Sequence, residues 1–200
     1  MGWTSYHATH YKGGTVDRKA ECDAYFMESL NAGHYKVLKS TMKGSVYYAA
    51  VKNLTKYVGN NQYETLPEGE QNVFGVVFLT SVDMRDYYNF SYKDMDETCG
   101  PFCYDCPESI LKLLSPTDSE YALKWRSKCR EHAKKRAFLK KSPIGTVVEF
   151  VLNGHTVRFL KHSPAYQFKN PFWFNPERNS YISESGIPDS FKVIGEESEM

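Results

Sequence analysis

The chain has 200 residues, 41% of them hydrophobic and 15% aromatic, which is enough to bury a core and excludes a disordered or low-complexity chain. Its longest apolar run, VFGVVFL at 73–79, is too short to span a bilayer, and the opening MGWTSYHATHYK lacks the basic start and apolar stretch of a secretion signal. The net charge of +1 hides a strong asymmetry. Nine basic residues against one acid lie between Lys124 and Lys141, so of 25 basic and 24 acidic residues in all, 16 and 23 remain for the rest of the chain.

In chain order, GWTSYHATHY reads as a strand by its Trp, Tyr and Thr content, and KGG ends it. Asp17 then caps a helix through RKAECDAYFMESL, with Ala20, Ala24 and Met27 on one face and Asn31-Ala32-Gly33 as its stop. YKVLKSTM and SVYYAAVKNL flank Lys43-Gly44 as a hairpin. After the polar loop GNNQYETLPEGEQ comes a third strand, NVFGVVFLTSV. Pro107 opens a short helix, PESILKLL. SPTDSE then forms a capping box, Thr117 with Glu120, for a long basic helix whose apolar stripe is Tyr121, Trp125, Cys129, Ala133 and Ala137. Ser142-Pro143 stops it. Beyond 144 the pattern turns to short strands: GTVVEFVL, a turn at Asn153-Gly154, HTVRFLKH, an aromatic segment over 166–182 and DSFKVIG. These form either a small β-barrel or an extension of the main sheet.

The expected fold is α+β, an antiparallel sheet with packed helices, a long basic helix and a small C-terminal β module. The boundaries are 1–115 for the α+β domain, 116–142 for the basic helix, 143–195 for the β module and 196–200 for a frayed tail. Five cysteines, an odd count, argue for reduced thiols and a soluble, cytoplasmic protein with no membrane contact.

Three of those cysteines fall in DETCGPFCYDCPES, spaced C-x3-C-x2-C. One reading is a turn of buried thiols at Gly100-Pro101, with no cofactor. The other is zinc on Cys99, Cys103 and Cys106, completed by Cys129 or His132 of the basic helix. The spacing also resembles the cluster loop of radical S-adenosylmethionine enzymes, but only 94 residues follow Cys106, too few for the partial barrel such enzymes wrap around cluster and cofactor.

His7 and His10 are the catalytic candidates, as general acid and base in phosphodiester chemistry. In a strand they face opposite sides, so they converge only across a bulge or strand end. No phosphate loop or catalytic triad motif accompanies them. The expectation is a binding protein, with an enzyme acting on nucleic acid or nucleotide through His7 and His10 as the alternative.

The basic helix is the strongest signal. Its cations are Lys124, Arg126, Lys128, Arg130, Lys134, Lys135, Arg136, Lys140 and Lys141, and pairs four residues apart such as Lys124 with Lys128, Arg126 with Arg130 and Arg136 with Lys140 repel one another. They call for nucleic-acid phosphate, for the chain's own acidic residues, or for those of a second copy by self-association. Tyr121, Trp125 and the aromatic segment offer rings for base stacking or for the core.

The segments MGWTSYHATHYKGGTVDRKAECD and YKDMDETCGPFCYDCPESILKLLSPTDSEYALKWR resemble a family of bacterial proteins carried on plasmids, phages and other mobile elements. Proteins of this mobile-element type include anti-CRISPR proteins that block Cas9, in certain cases by altering or truncating its guide RNA. The resemblance implies an inhibitor of an RNA-guided nuclease. Its partners would be a Cas9-type ribonucleoprotein and its guide RNA, a target that offers both phosphate and positively charged channels. A nucleic-acid-binding accessory protein of a mobile element is the simpler alternative. The resemblance assigns no catalytic residue.

Overall fold

The computed structural model describes residues 9–10, 16–28, 33–83, 88–165 and 168–196. The fold is α+β, and the chain divides into two compact units, Met1–Arg130 and Glu131–Met200. Each is built around its own antiparallel sheet.

In the first unit, β1 (Thr9–His10) is the described part of the opening strand. Helix α1 (Arg18–Glu28) follows, and Asp17 Oδ1 accepts hydrogen bonds at 3.0 Å from the backbone N–H groups of both Lys19 and Ala20, as its N-cap role requires. The buried face of α1 is Cys22, Tyr25 and Phe26, whereas Ala20 of the expected stripe is exposed. Two rings and a thiol remove far more apolar area from water than methyl groups can, and that decides the helix's rotation.

Strands β2 (Tyr35–Lys43) and β3 (Val46–Asn53) form the expected hairpin, turned at Gly44 with φ 59°. Near its start β2 bulges at Leu38, between the pairs made by Val37 and Lys39. The segment expected as a polar loop is instead a small hairpin of β4 (Thr55–Gly59) and β5 (Gln62–Thr65). Asn60 and Asn61 between them take φ of 50° and 57°, a conformation asparagine tolerates better than other side chains. β6 (Val73–Asp83) and β7 (Tyr88–Asp96) complete a sheet ordered β1-β7-β6-β3-β2. The segment of β7, YNFSYKDMD, mixes charges into its alternation and so carries no clear strand pattern.

Period-two alternation gives this sheet two buried faces. Tyr47, Ala49, Val51, Val76 and Phe78 pack with Tyr25 and Phe26 of α1. Tyr48, Ala50, Val77 and Met95 point the other way, onto Ile110 and Leu111 of α2 (Glu108–Leu111) and Trp125 and Cys129 of α3 (Glu120–Lys141). The cap of α3 is Ser119, whose Oγ accepts from Ala122 N at 3.4 Å, and not Thr117. The Thr117 hydroxyl is taken by the N–H of Ser119, 3.2 Å away, in a local turn that competes with capping.

The boundary between units falls within α3. In the second unit, β8 (Thr146–Leu152), β9 (His155–His162), β10 (Phe172–Asn175), β11 (Ser180–Ile182) and β12 (Lys192–Glu196) form a sheet ordered β11-β10-β9-β8-β12. Among the described residues its strands pair with none of the first sheet, and β11 and β12 end the order, so the described strands form an open sheet of their own and not a closed barrel or an extension. Asn153 and Gly154, at φ 52° and 80°, turn β8 into β9. The core of this unit is Val148, Phe150, Val157, Phe159, Trp173 and Ile187 with Leu139 of α3. Lys161 is buried beneath the end of that helix. Its Nζ donates to the carbonyl oxygens of Leu139 (2.6 Å), Lys140 (3.0 Å) and Ser142 (2.9 Å), placing a cation where the helix leaves unpaired acceptors.

Gly75, buried in β6, lies directly against α3. A Cβ there would stand 3.0 Å from Cζ3 of Trp125, and that ring is buried and held by its N–H. Gly75→Ala is expected to lower stability by about 1–3 kcal/mol, read as a reduced urea midpoint with unchanged slope.

Candidate nucleic-acid interface

The structure sorts the nine cations of α3 by what each one touches. In the first unit, Arg126 is buried. Its Nε and Nη2 donate to Glu97 Oε2 and Oε1 at 2.6 and 2.7 Å, and Nη1 donates to the carbonyl of Ser115 at 2.8 Å. Side-chain exposures of 10% and 3% for Arg126 and Glu97 make this an interior fork-to-fork pair, closed to phosphate. Lys128 lies over the Tyr104 ring, 5.0 Å from its centre, and its Nζ donates to the phenol oxygen. Arg130 pairs with Glu108 at 3.2 Å, both half-exposed. Lys124 is exposed and makes no hydrogen bond or ion pair among the described residues.

In the second unit, Lys135 donates to the backbone oxygen of Asp189. Arg136 donates to the backbone oxygens of Glu184 and Ile187 and to Asp189 Oδ1, the last at 3.0 Å. Lys134, Lys140 and Lys141 are exposed and have no such partner among the described residues. Five of the nine cations are thus engaged within their own unit. The repulsion seen in the sequence is relieved in part by the chain's own acceptors, and Lys124, Lys134, Lys140 and Lys141 are left facing solvent.

The stripe of α3 is also different from the one expected. Ala122, Trp125, Arg126 and Cys129 are buried in the first unit and Leu139 in the second, whereas Tyr121, at 66% exposure, and Ala133 and Ala137 face outward. The steps from 122 through 125 and 126 to 129 are ordinary helical spacing. Arg126 falls within that spacing, a charged residue in a buried stripe because Glu97 neutralises it.

The cysteine loop ties β7 to α3. Asp96 Oδ1 accepts from the N–H groups of Thr98 (2.7 Å) and Cys99 (3.2 Å), and Gly100 turns with φ 63°. The carbonyl of Cys103 accepts from Trp125 Nε1 at 3.0 Å, and Asp105 N–H donates to Tyr48 Oη at 3.2 Å. Cys106 and Cys129 are buried in one apolar layer with Cys103 packed against it. Cys99 is exposed, and His132 bonds Asp189 of the second unit through Nδ1 at 2.6 Å. The structure thus brings Cys103, Cys106 and Cys129 together and leaves Cys99 exposed, while His132 belongs to the second unit. Among the described residues, no three His, Cys, Asp or Glu side chains form a metal-ligand group. Burial raises the Cys103 and Cys106 thiols above the ordinary value and pushes Cys129 up to about 12.

His7 lies outside the described residues. His10 is in β1, its backbone opposite Tyr88. Comparison with known proteins finds no matching family model, no matching curated protein and no matching solved structure. No helix among the described residues is long and apolar enough to cross a membrane.

Two outcomes follow from these contacts. Glu97→Gln, which leaves a buried guanidinium unpaired, is expected to cost about 3–5 kcal/mol in urea unfolding, and the double variant Glu97→Met with Arg126→Met less than the sum of its singles. Iodoacetamide at pH 8 is expected to alkylate Cys99 first and to reach Cys22, Cys103, Cys106 and Cys129 at a rate comparable to Cys99 only in denaturant, as read by peptide mass spectrometry.

Proposed function

We propose that the protein is a non-catalytic nucleic-acid-contacting protein whose α3 lysines meet phosphate, and that it acts as an inhibitor of an RNA-guided nuclease of the Cas9 type. The observation that carries the phosphate contact is the exposure of Lys124, Lys134, Lys140 and Lys141, without partners among the described residues, on a helix whose other cations are occupied. Exposed uncompensated lysines bind polyanions by releasing counterions, with affinity that falls steeply as salt rises. The Cas9 setting rests on the sequence resemblance.

Four phosphate contacts on single-stranded RNA imply a fall in affinity of roughly 50-fold between 50 and 200 mM salt. Fluorescence anisotropy with a labelled guide RNA, alone and loaded on Cas9, measures it. Changing the four lysines to glutamine is expected to abolish the salt-sensitive binding without altering thermal unfolding. A parallel cleavage assay, with a gel of the guide, tests the inhibitor role: uninhibited cleavage and an intact guide across several Cas9 orthologues would overturn it. Undiminished RNA binding by the glutamine variant would overturn the assignment to α3.

A further inference from the structure

The two most exposed Phe and Tyr rings among the described residues adjoin each other at the start of α3. They are Phe102 of the cysteine loop, at 64% exposure, and Tyr121 of the first helical turn, at 66%. Both belong to the first unit.

The backbone around them is fixed. Gly100 takes φ 63°, and a Cβ built on it would stand 3.3 Å from Cδ1 of Tyr121, so the phenol ring lies along that glycine and turns its other side to solvent. In the loop, Pro101 is buried and Cys103 packs against the apolar layer, its carbonyl held by the indole N–H of Trp125. Phe102 stands between these two inward residues and is turned out. Gly100 and Phe102 are two residues apart, at most about 7 Å along the chain. The ring resting on the first and the ring borne by the second are therefore neighbours.

A single exposed ring needs no explanation, but two adjoining ones beside a solvated cation do. Tyr121, Lys124 and Lys128 recur at i, i+3 and i+7 and so line one side of α3. Lys128 is half-buried over the Tyr104 ring, whereas Lys124 is exposed and makes no hydrogen bond or ion pair among the described residues. Asp105, Asp118 and Glu120 are exposed acids close in sequence to the rings. They disfavour phosphate there and leave it to the Lys124 side. Ring faces accept any base by stacking, a contact that needs no charge, while an ammonium group beside them accepts the backbone. A duplex keeps its bases stacked inside and offers such rings only its phosphates.

We infer that Phe102 and Tyr121 form a stacking platform for unpaired bases, with the phosphate of the same strand at Lys124, so that the nucleic acid met by the start of α3 is single-stranded. The inference rests on the phosphate reading of α3 proposed above and adds the class of strand to it.

The probes are a short labelled RNA strand, the same strand in a duplex, and an abasic strand of equal length, compared by anisotropy at about 200 mM salt, where phosphate contacts are weakened. The single strand is expected to bind at least fivefold more tightly than either of the others. Phe102→Ala and Tyr121→Ala are each expected to weaken it about fivefold or more, with the salt slope, duplex binding and thermal unfolding midpoint close to those of the parent. Ring variants that bind the single strand as tightly as the parent, when the four-lysine variant has lost binding, overturn the platform and leave the phosphate reading standing. A duplex or abasic strand bound as tightly as the single strand also overturns it. Ring variants that keep free RNA but lose the RNA-loaded nuclease assign the rings to a protein partner and overturn it too. Absence of RNA binding by the parent overturns both readings.

Discussion

The buried pair of Glu97 and Arg126 is the constraint on which the first unit depends. Glu97 follows directly on β7, and Arg126 belongs to α3, so one interior ion pair joins the end of the sheet to the helix that covers its second face. The third donor of the guanidinium goes to Ser115, which itself exchanges hydrogen bonds with Val73 at the start of β6. Two strands and the helix are thus fixed about one planar cation. Such a pair is costly to desolvate and severe to break, so its contribution is more to uniqueness of packing than to net stability.

That constraint changes the meaning of the cysteine loop. In sequence its spacing allows a turn of buried thiols or a zinc site; in the fold the loop is a short strap held at both ends. Asp96 caps its first turn, the Cys103 carbonyl holds the indole of Trp125, and the Asp105 amide rests on Tyr48. Backbone groups do this work, while the Cys106 side chain fills the apolar layer and burial keeps it protonated. The positive charge of α3 is likewise divided in purpose. Arginines hold the interior and the Asp189 loop, and lysines take most of the exposed positions. This follows from the planar fork of arginine, which satisfies several acceptors at once, against the strong hydration of an ammonium group.

Much of this fold was legible in the sequence, for identifiable reasons. Asp17, Gly44 and Asn153-Gly154 have local conformational roles, so the start of α1 and two hairpin turns are written in single residues. What resisted reading depends on partners distant in the chain. Nothing near Arg126 announces Glu97, 29 positions away, and nothing in YNFSYKDMD shows that a strand rich in polar residues lies between two others in a sheet. The hairpin of β4 and β5 was hidden because its strands are largely exposed and lack the apolar alternation that marks a half-buried strand. For the candidate site, the sequence located the helix and its charge but could not tell the exposed lysines from the occupied arginines and lysines.

The bulge at Leu38 bears on how the molecule avoids its neighbours in a crowded solution. β2 ends the strand order of the first sheet, and an outermost strand is a template onto which another chain can add. This one carries exposed Lys36, Lys39 and Lys43, and the bulge breaks the even spacing of its hydrogen-bonding groups before four residues have passed. A second copy arriving edge to edge would meet its own lysines across a strand that cannot stay in register. At this edge of the sheet, charge and broken register both work against such growth.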